Sequence, residues 1–253
     1  MTADARLLGG RVIYHQPPTG FRSGIEPVLL AASVPARPNQ QVLEAGTGAG
    51  AGLLCLNARV PHLLSTGVEV DAALAALAAE NARANGFTGI GILADPIETA
   101  SLPQLFDHAF ANPPYHAADG TASPDPARDT AKRGSDMLIA GWIDRLSRSL
   151  RDRGSLTLIV PAARCPACLT AMAVSSCPCS VLFPLWPKPG RSAKLVMLRG
   201  IKNARGTMRL AAGLVLHAPD GGFTQVTQAI LAGGEALTLG HGTGRGPASE
   251  NNV

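Results

Sequence analysis

Short apolar runs alternate along the chain with longer stretches in which apolar residues recur every three or four positions. Residues 41–44, 66–69, 90–94, 106–111 and 155–160 are the short runs, and Gly, Pro, Asp or Asn punctuate their ends, as expected of buried strands. Between them, Leu53, Leu54, Leu56 and Val60 keep helical spacing. Asp71 caps an Ala- and Leu-rich helix that runs to Asn85, with Gly86 just past its end. Glu26 as N-cap and Pro27 as first helical residue open a helix over 28–34, and further helices are predicted over 135–150 and 163–174. Apolar runs at 181–185 and 194–199 flank Pro187-Lys188-Pro189-Gly190, a hairpin-like connection. A short strand at 214–217 and a short helix at 224–231 follow, while residues 116–134 read as a mobile loop rich in Asp, Pro and Ala.

Strands alternating with helices predict an α/β fold: a doubly wound, Rossmann-like sheet of seven strands, mostly parallel, with the last strand antiparallel because of the final hairpin. The chain divides into an N-terminal segment (1–40) lying over the site, a main domain (41–200), a C-terminal extension (201–239) and a disordered tail (240–253).

Composition changes that picture only by exclusion. With 46% hydrophobic and 16% charged residues and a mean hydropathy of +0.15, the chain is neither disordered nor fibrous. It has no apolar run of about 18 residues, and its first residues lack a signal-peptide core, so a soluble cytoplasmic protein without membrane contact is expected. The five cysteines include Cys165-Pro-Ala-Cys168 and Cys177-Pro-Cys179. Their pairs stand closer together than zinc knuckles place them, so they read as structural thiols and no metal is expected.

Charge is distributed unevenly. Residues 1–144 hold 9 Lys+Arg against 14 Asp+Glu, whereas residues 145–219 hold 12 against 1. Arg145, Arg148, Arg151 and Arg153 suit the end of a helix, where cations complement the dipole. The later group of Lys188, Arg191, Lys194, Arg199, Lys202, Arg205 and Arg209 predicts a face for a polyanion, with Lys188, Arg191 and Lys194 as its nucleic-acid-binding residues.

The chemistry-bearing stretch is Ala111-Asn112-Pro113-Pro114-Tyr115, at the end of the fourth strand. Two prolines fix the loop, and Pro113 has no N–H, so its carbonyl and the Asn112 amide oxygen form two fixed acceptors. Two adjacent acceptors suit an exocyclic NH2 group, and the Tyr115 ring can lie against the heterocycle bearing it. A second cluster begins at Glu44-Ala45-Gly46-Thr47-Gly48, and Glu69, Asp95 and Asn112 stand at the ends of the next strands. Gly46-x-Gly48-x-x-Ala51, with Glu69 beyond it, also reads as a degenerate dinucleotide fingerprint. A carboxylate at Glu44 would repel a pyrophosphate but suits an ammonium, which favours S-adenosylmethionine over a nicotinamide cofactor.

With those motifs in place, the sequence resembles the class I methyltransferases that act on amino groups. More narrowly it is similar to the bacterial tRNA adenine-N6 methyltransferases of the valine-tRNA type. The resemblance spans roughly residues 10–235 and includes Phe21-Arg22-Ser23, Val28-Leu29-Leu30-Ala31, Asn112-Pro113-Pro114-Tyr115, Ser123-Pro124-Asp125-Pro126-Ala127-Arg128, the hairpin over 187–196 and Asp220-Gly221-Gly222-Phe223-Thr224. It implies that Arg22 and Ser23 bind the cofactor from a segment folding over it, that Glu44, Gly46 and Gly48 hold its methionine end, that Glu69 holds the ribose and Asp95 the adenine, and that Ala45, Val70 and Pro96 also bind the cofactor. Asn112, Pro113, Pro114 and Tyr115 would then be catalytic, with Asn112 also at the cofactor. Glu26 and Glu44 stand where that family more often carries Asp, and the cysteines at 165–179 are outside its pattern. The expectation is methyl transfer to adenine N6 in RNA, with tRNA near the anticodon as substrate. The competing readings are a protein glutamine N-methyltransferase, a non-catalytic RNA-binding protein and an NAD-dependent oxidoreductase.

Overall fold

The computed structural model describes residues 3–17, 24–102, 105–114 and 126–240. In chain order the elements are β1 (Ala3–Leu7), β2 (Val12–Gln16), α1 (Glu26–Ser33), β3 (Gln41–Ala45), α2 (Ala51–Arg59), β4 (Leu64–Val68), α3 (Ala72–Ala84), β5 (Ile90–Leu93) and β6 (Phe106–Ala111). They continue with α4 (Pro126–Arg148), β7 (Leu150–Pro161), α5 (Cys165–Val174), β8 (Cys179–Trp186), β9 (Leu195–Ile201), β10 (Arg209–Leu210), β11 (Leu214–Val215) and α6 (Gln225–Leu231).

The main sheet runs β5-β4-β3-β6-β7-β9-β8, seven strands with β9 antiparallel to both neighbours, as the sequence predicts. Two-residue strands β10 and β11 extend it beyond β8. The β1–β2 hairpin forms a separate sheet that the sequence did not announce. Alternate side chains feed two cores. Val42, Phe110, Ile159 and Met197 point to the face covered by α1 and α2, and Leu43, Ala109, Leu158 and Leu198 to the face covered by α4 and α5.

Local chemistry sets the helix ends. The Asp71 Oδ1 accepts from Ala73 N–H (2.8 Å) and Leu74 N–H (3.1 Å) to start α3. At its far end Gly86 takes a left-handed φ of 70°, and Gly86 and Phe87 donate to Arg83 and Ala82 (both 3.0 Å), the six-residue closure that spends the last carbonyls. At α1 the N-cap is Ile25, so Glu26 and Pro27 lie inside the first turn, one residue further in than expected. Residues 126–134, expected as loop, belong to α4, and the remainder of that loop lies outside the described residues, as does the tail from 241. The strand expected at 155 begins earlier because Arg151 to Gly154 bulge out opposite Asp107, with Arg153 at a φ of 63°.

Cys168 and Cys177 are buried in the core under α5, and burial pushes their thiols up to about 12 and about 11. Among the described residues no three His, Cys, Asp or Glu side chains gather as a metal would need. None of the described helices is long and apolar enough to cross a membrane.

Candidate active site at the crevice between β3 and β6

After β5 the chain returns to the other side of β3, so β3 and β6 lie side by side, with Ala45 opposite Ala111. That reversal opens a crevice at the carboxyl ends of the strands. Here it is a cleft of about 760 Å³, walled by Glu44, Gly46 and Gly48 from the first turn, Glu69 and Val70 from the second, Asp95 and Pro96 from the third, and Asn112, Pro113 and Pro114 from the fourth. Ala45, placed at the cofactor by the sequence, is instead sealed in the core and forms no part of the wall, because successive residues of a strand face opposite ways. Tyr115, Arg22 and Ser23 lie outside the described residues.

The glycine turn is built for close approach. Gly46 and Thr47 both donate to the Val68 carbonyl (2.8 and 3.1 Å), and position 46 takes glycine for two reasons: its φ is 67°, and a Cβ there would stand 2.8 Å from Trp142 Cη2. Gly48, with φ 55°, has no atom within 4 Å of where a side chain would begin, so its backbone faces open crevice.

Glu44 lies beneath this turn. Its Oε2 accepts from Thr47 Oγ1 (2.6 Å) and from Leu53 N–H (3.1 Å) in the first turn of α2. Burial pushes its carboxyl up to about 8, against the two hydrogen bonds that favour the anion, with the nearby Glu69 adding to the rise. Glu44 thus already takes the Leu53 N–H in the first turn of α2, a donor on which a dinucleotide would seat its pyrophosphate, which argues against the nicotinamide reading. Glu69 accepts from Gly48 N–H (2.8 Å) and Asp71 N–H (3.0 Å), one bond per oxygen, leaving each a further lone pair toward the cleft. Asp95 is exposed on the rim.

On the fourth tip, Pro113 is buried and Pro114 exposed. The Asn112 Oδ1 is buried and has no hydrogen-bond partner among the described residues. Such an acceptor is costly to leave unmade, and at a cleft wall a ligand's donor is one way to satisfy it.

Several wall residues escaped the sequence reading. Trp142 on α4 closes one side and donates from Nε1 to Glu98 Oε1 (3.0 Å). Tyr14, Pro17 and Pro27 come from the N-terminal segment. That segment is held by amides on α3: the Asn81 Oδ1 accepts from His15 N–H (2.9 Å), while its Nδ2 donates to the His15 carbonyl (2.8 Å) and to the Ala49 carbonyl of the glycine turn (2.9 Å). One turn on, Asn85 exchanges the same pair of bonds with Ile13 (2.9 and 2.7 Å). Two Asn one helical turn apart were the available signal, since they fall on one face.

The basic run divides. Because β9 runs antiparallel, Lys188, Arg191 and Lys194 on the β8–β9 connection are exposed at the same sheet edge as Asn112, whereas Lys202 and Arg205 lie past the opposite end. Arg199 is not a surface cation. It donates to the Ser33 carbonyl and to Thr157 Oγ1 (3.2 Å), and burial lowers its guanidinium to about 10. Arg209 binds the carbonyls of Leu239 and Gly240. The polyanion surface expected from all seven residues therefore loses at least Arg199.

A sheet of this order, with a glycine turn and carboxylates at consecutive strand tips, is that of the class I methyltransferases. A crystal structure described as a "predicted O-methyltransferase" from Agrobacterium tumefaciens superposes with a TM-score of 0.70 over 85% of this chain and 99% of that one, at 22% identity. The chain belongs to the methyltransferase small domain family, whose model matches residues 26–160. Among curated proteins it is 29% identical over 193 residues to the tRNA1(Val) (adenine(37)-N6)-methyltransferase of Actinobacillus succinogenes, an alignment covering 74% of this chain and 79% of that protein. It is 30% identical over 136 residues to the enzyme of the same name from Pseudoalteromonas translucida, covering 53% and 57%. The cofactor of this class is S-adenosylmethionine. The open backbone at Gly48, the acid pair Glu44 and Glu69, and the Leu53 N–H already bonded to Glu44 fit it.

Proposed function

We propose that this protein transfers a methyl group from S-adenosylmethionine to the exocyclic N6 of an adenine in tRNA, close to the anticodon, in the cytoplasm. The observation that carries this reading is the buried, unpartnered Asn112 Oδ1 at the cleft wall. An amine N–H supplies the donor that this oxygen lacks.

The cofactor supplies a sulfonium-activated methyl group. Glu44 and the turn at Gly46 and Gly48 hold its methionine end, Glu69 takes the ribose hydroxyls, and Asp95, Val70 and Pro96 border its adenine. Trp142, which the sequence did not single out, closes the wall against Gly46. Residues 1–40 act as a cover, contributing Tyr14, Pro17 and Pro27.

An aromatic amine is a poor nucleophile because its lone pair is delocalised into the ring. The Asn112 Oδ1 and the Pro113 carbonyl draw both N–H bonds to one side, and Tyr115 holds the ring plane. The lone pair then faces the methyl group. This is orientation and electrostatic preorganisation, for which good alignment is worth up to about 7–11 kcal/mol. Formation of the N–C bond would break the sulfonium S–C bond and leave a neutral thioether, and the methylated amine, strongly acidic, would lose its proton to water, so no general base is required. The target base must leave its stack, which a single-stranded loop allows at small cost. Lys188, Arg191 and Lys194 take the RNA backbone.

The relatives' names give the substrate class and favour RNA over a protein amide. The test is incubation with methyl-labelled cofactor and total tRNA from a strain lacking the gene, followed by nucleoside analysis. N6-methyladenosine is expected with the wild-type protein and is abolished in Asn112→Ala, which still binds cofactor. Label in protein rather than RNA would establish the glutamine reading instead, and no transfer at all would leave a silent RNA-binding protein.

A further inference from the structure

Beyond β11 the chain makes a tight turn at Ala218-Pro219-Asp220-Gly221. Gly221 N–H donates to the Ala218 carbonyl (3.0 Å), Ala218 N–H to the Gly222 carbonyl (2.8 Å), and the Asp220 Oδ1 accepts from Gly222 N–H (2.9 Å). Pro219 fixes the second position of the turn, and Gly221 takes the left-handed φ of 95° that follows it. The tip is rigid. On its flanks His217 and Phe223 form an antiparallel bridge, and their rings stack with centroids 4.8 Å apart and planes at 23°. Phe223 nevertheless remains 38% exposed, an unusual place for a large apolar ring held so firmly.

The position of this pair relates it to the active site. β11 runs parallel to β8, with Val215 opposite Trp186, so the turn emerges at the sheet edge that carries Asn112. His217 N–H donates to the Pro187 carbonyl (3.1 Å), joining the turn to the connection that bears Lys188, Arg191 and Lys194. The Lys188 Nζ lies 4.0 Å from where a side chain on Gly221 would begin. Four strand spacings separate β6 from β11 in the sheet order, which sets the ring pair about 19 Å from Asn112. A stacked strand covers that distance in about six nucleotides at ~3.4 Å each.

We propose that His217 and Phe223 form a stacking platform for an unpaired base of the RNA substrate, several nucleotides from the methylated adenine, with Lys188 and its neighbours on the adjoining phosphates. This rests on the tRNA reading above and specifies how that RNA is gripped away from the reacting base. A flat ring beside exposed cations suits a nucleotide, which has a π-face and a phosphate; Asp220, the acid of the turn, already spends Oδ1 on Gly222 N–H.

The test compares Phe223→Leu, which keeps apolar bulk without a π-face, with Phe223→Tyr, which keeps the ring. Measured are KM and kcat for tRNA at saturating cofactor, cofactor Kd, and the melting temperature. The Leu variant is expected to raise KM for tRNA about ten-fold while kcat, cofactor Kd and melting temperature stay at wild-type values, and Tyr restores KM. A wild-type KM in the Leu variant would overturn the platform, as would a joint fall in melting temperature and cofactor affinity, which marks a structural ring. Failure of the wild-type protein to methylate any RNA would overturn the functional reading and this one with it; wild-type methylation that Phe223→Leu matches overturns the platform alone.

Discussion

Asn81 ties three parts of the protein together, and Asn81→Leu removes those ties with little change in volume. The buried bond to the Ala49 carbonyl leaves an acceptor without a partner, costing about 1–3 kcal/mol, and the two part-buried bonds to His15 contribute about 1 kcal/mol each, so the loss is about 3–5 kcal/mol. A domain in the middle of the ordinary range, about 10 kcal/mol, survives that, with a melting temperature lower by about 6–20 °C. The cofactor consequence follows from the Ala49 bond, which holds the glycine turn in shape. If about 1.4 kcal/mol of that contribution is needed for binding, Kd for S-adenosylmethionine rises ten-fold. Asn85→Leu is the control, since its bonds go to Ile13 and to the Asn81 carbonyl and none reaches the glycine turn. It should destabilise comparably and leave Kd close to wild type. Unfolding in urea and calorimetric titration with the cofactor give both quantities. Equal Kd values in the two variants would refute the idea that Asn81 shapes the turn.

Gly46→Ala forces a side chain into a left-handed backbone, at about 1–2 kcal/mol, and presses on Trp142; weakened cofactor binding and altered tryptophan emission are expected. Between its ordinary 4.5 and about 8, Glu44 keeps in the native state a proton that the unfolded chain has released, so stability should fall as pH rises through that window. Urea midpoints at pH 5 and pH 8 should therefore drop further for the wild type than for Glu44→Gln; parallel profiles would show the carboxyl to be ionised throughout. Replacing Lys188, Arg191 and Lys194 together by Ala should lower the slope of log affinity against log salt by about 2 for single-stranded RNA, as three contacts at about 0.7 each require. Arg199→Met should leave that slope untouched while lowering the melting temperature, because its guanidinium serves the Ser33 carbonyl and Thr157.

The sequence by itself determined what depends on neighbours in the chain. Strand runs, the Asp71 cap and the Gly86 stop were legible because hydrophobic period and capping act within a few residues. So were Glu44, Glu69, Asp95 and Asn112, since a residue at a strand's carboxyl end in a doubly wound sheet must face the same crevice. Only the tertiary structure decided what depends on strand order and on how the elements pack. It set Lys194 and Lys202 at opposite ends of β9 and turned the Arg199 side chain inward onto the Ser33 carbonyl. It laid β2 across two amides of α3, bringing Tyr14 to the cleft, and it carried Trp142 over Gly46 from almost a hundred residues away. Ala45 shows the limit most simply: it belongs to the same five-residue stretch as Glu44 and Gly46, yet pleating turns it away into the core.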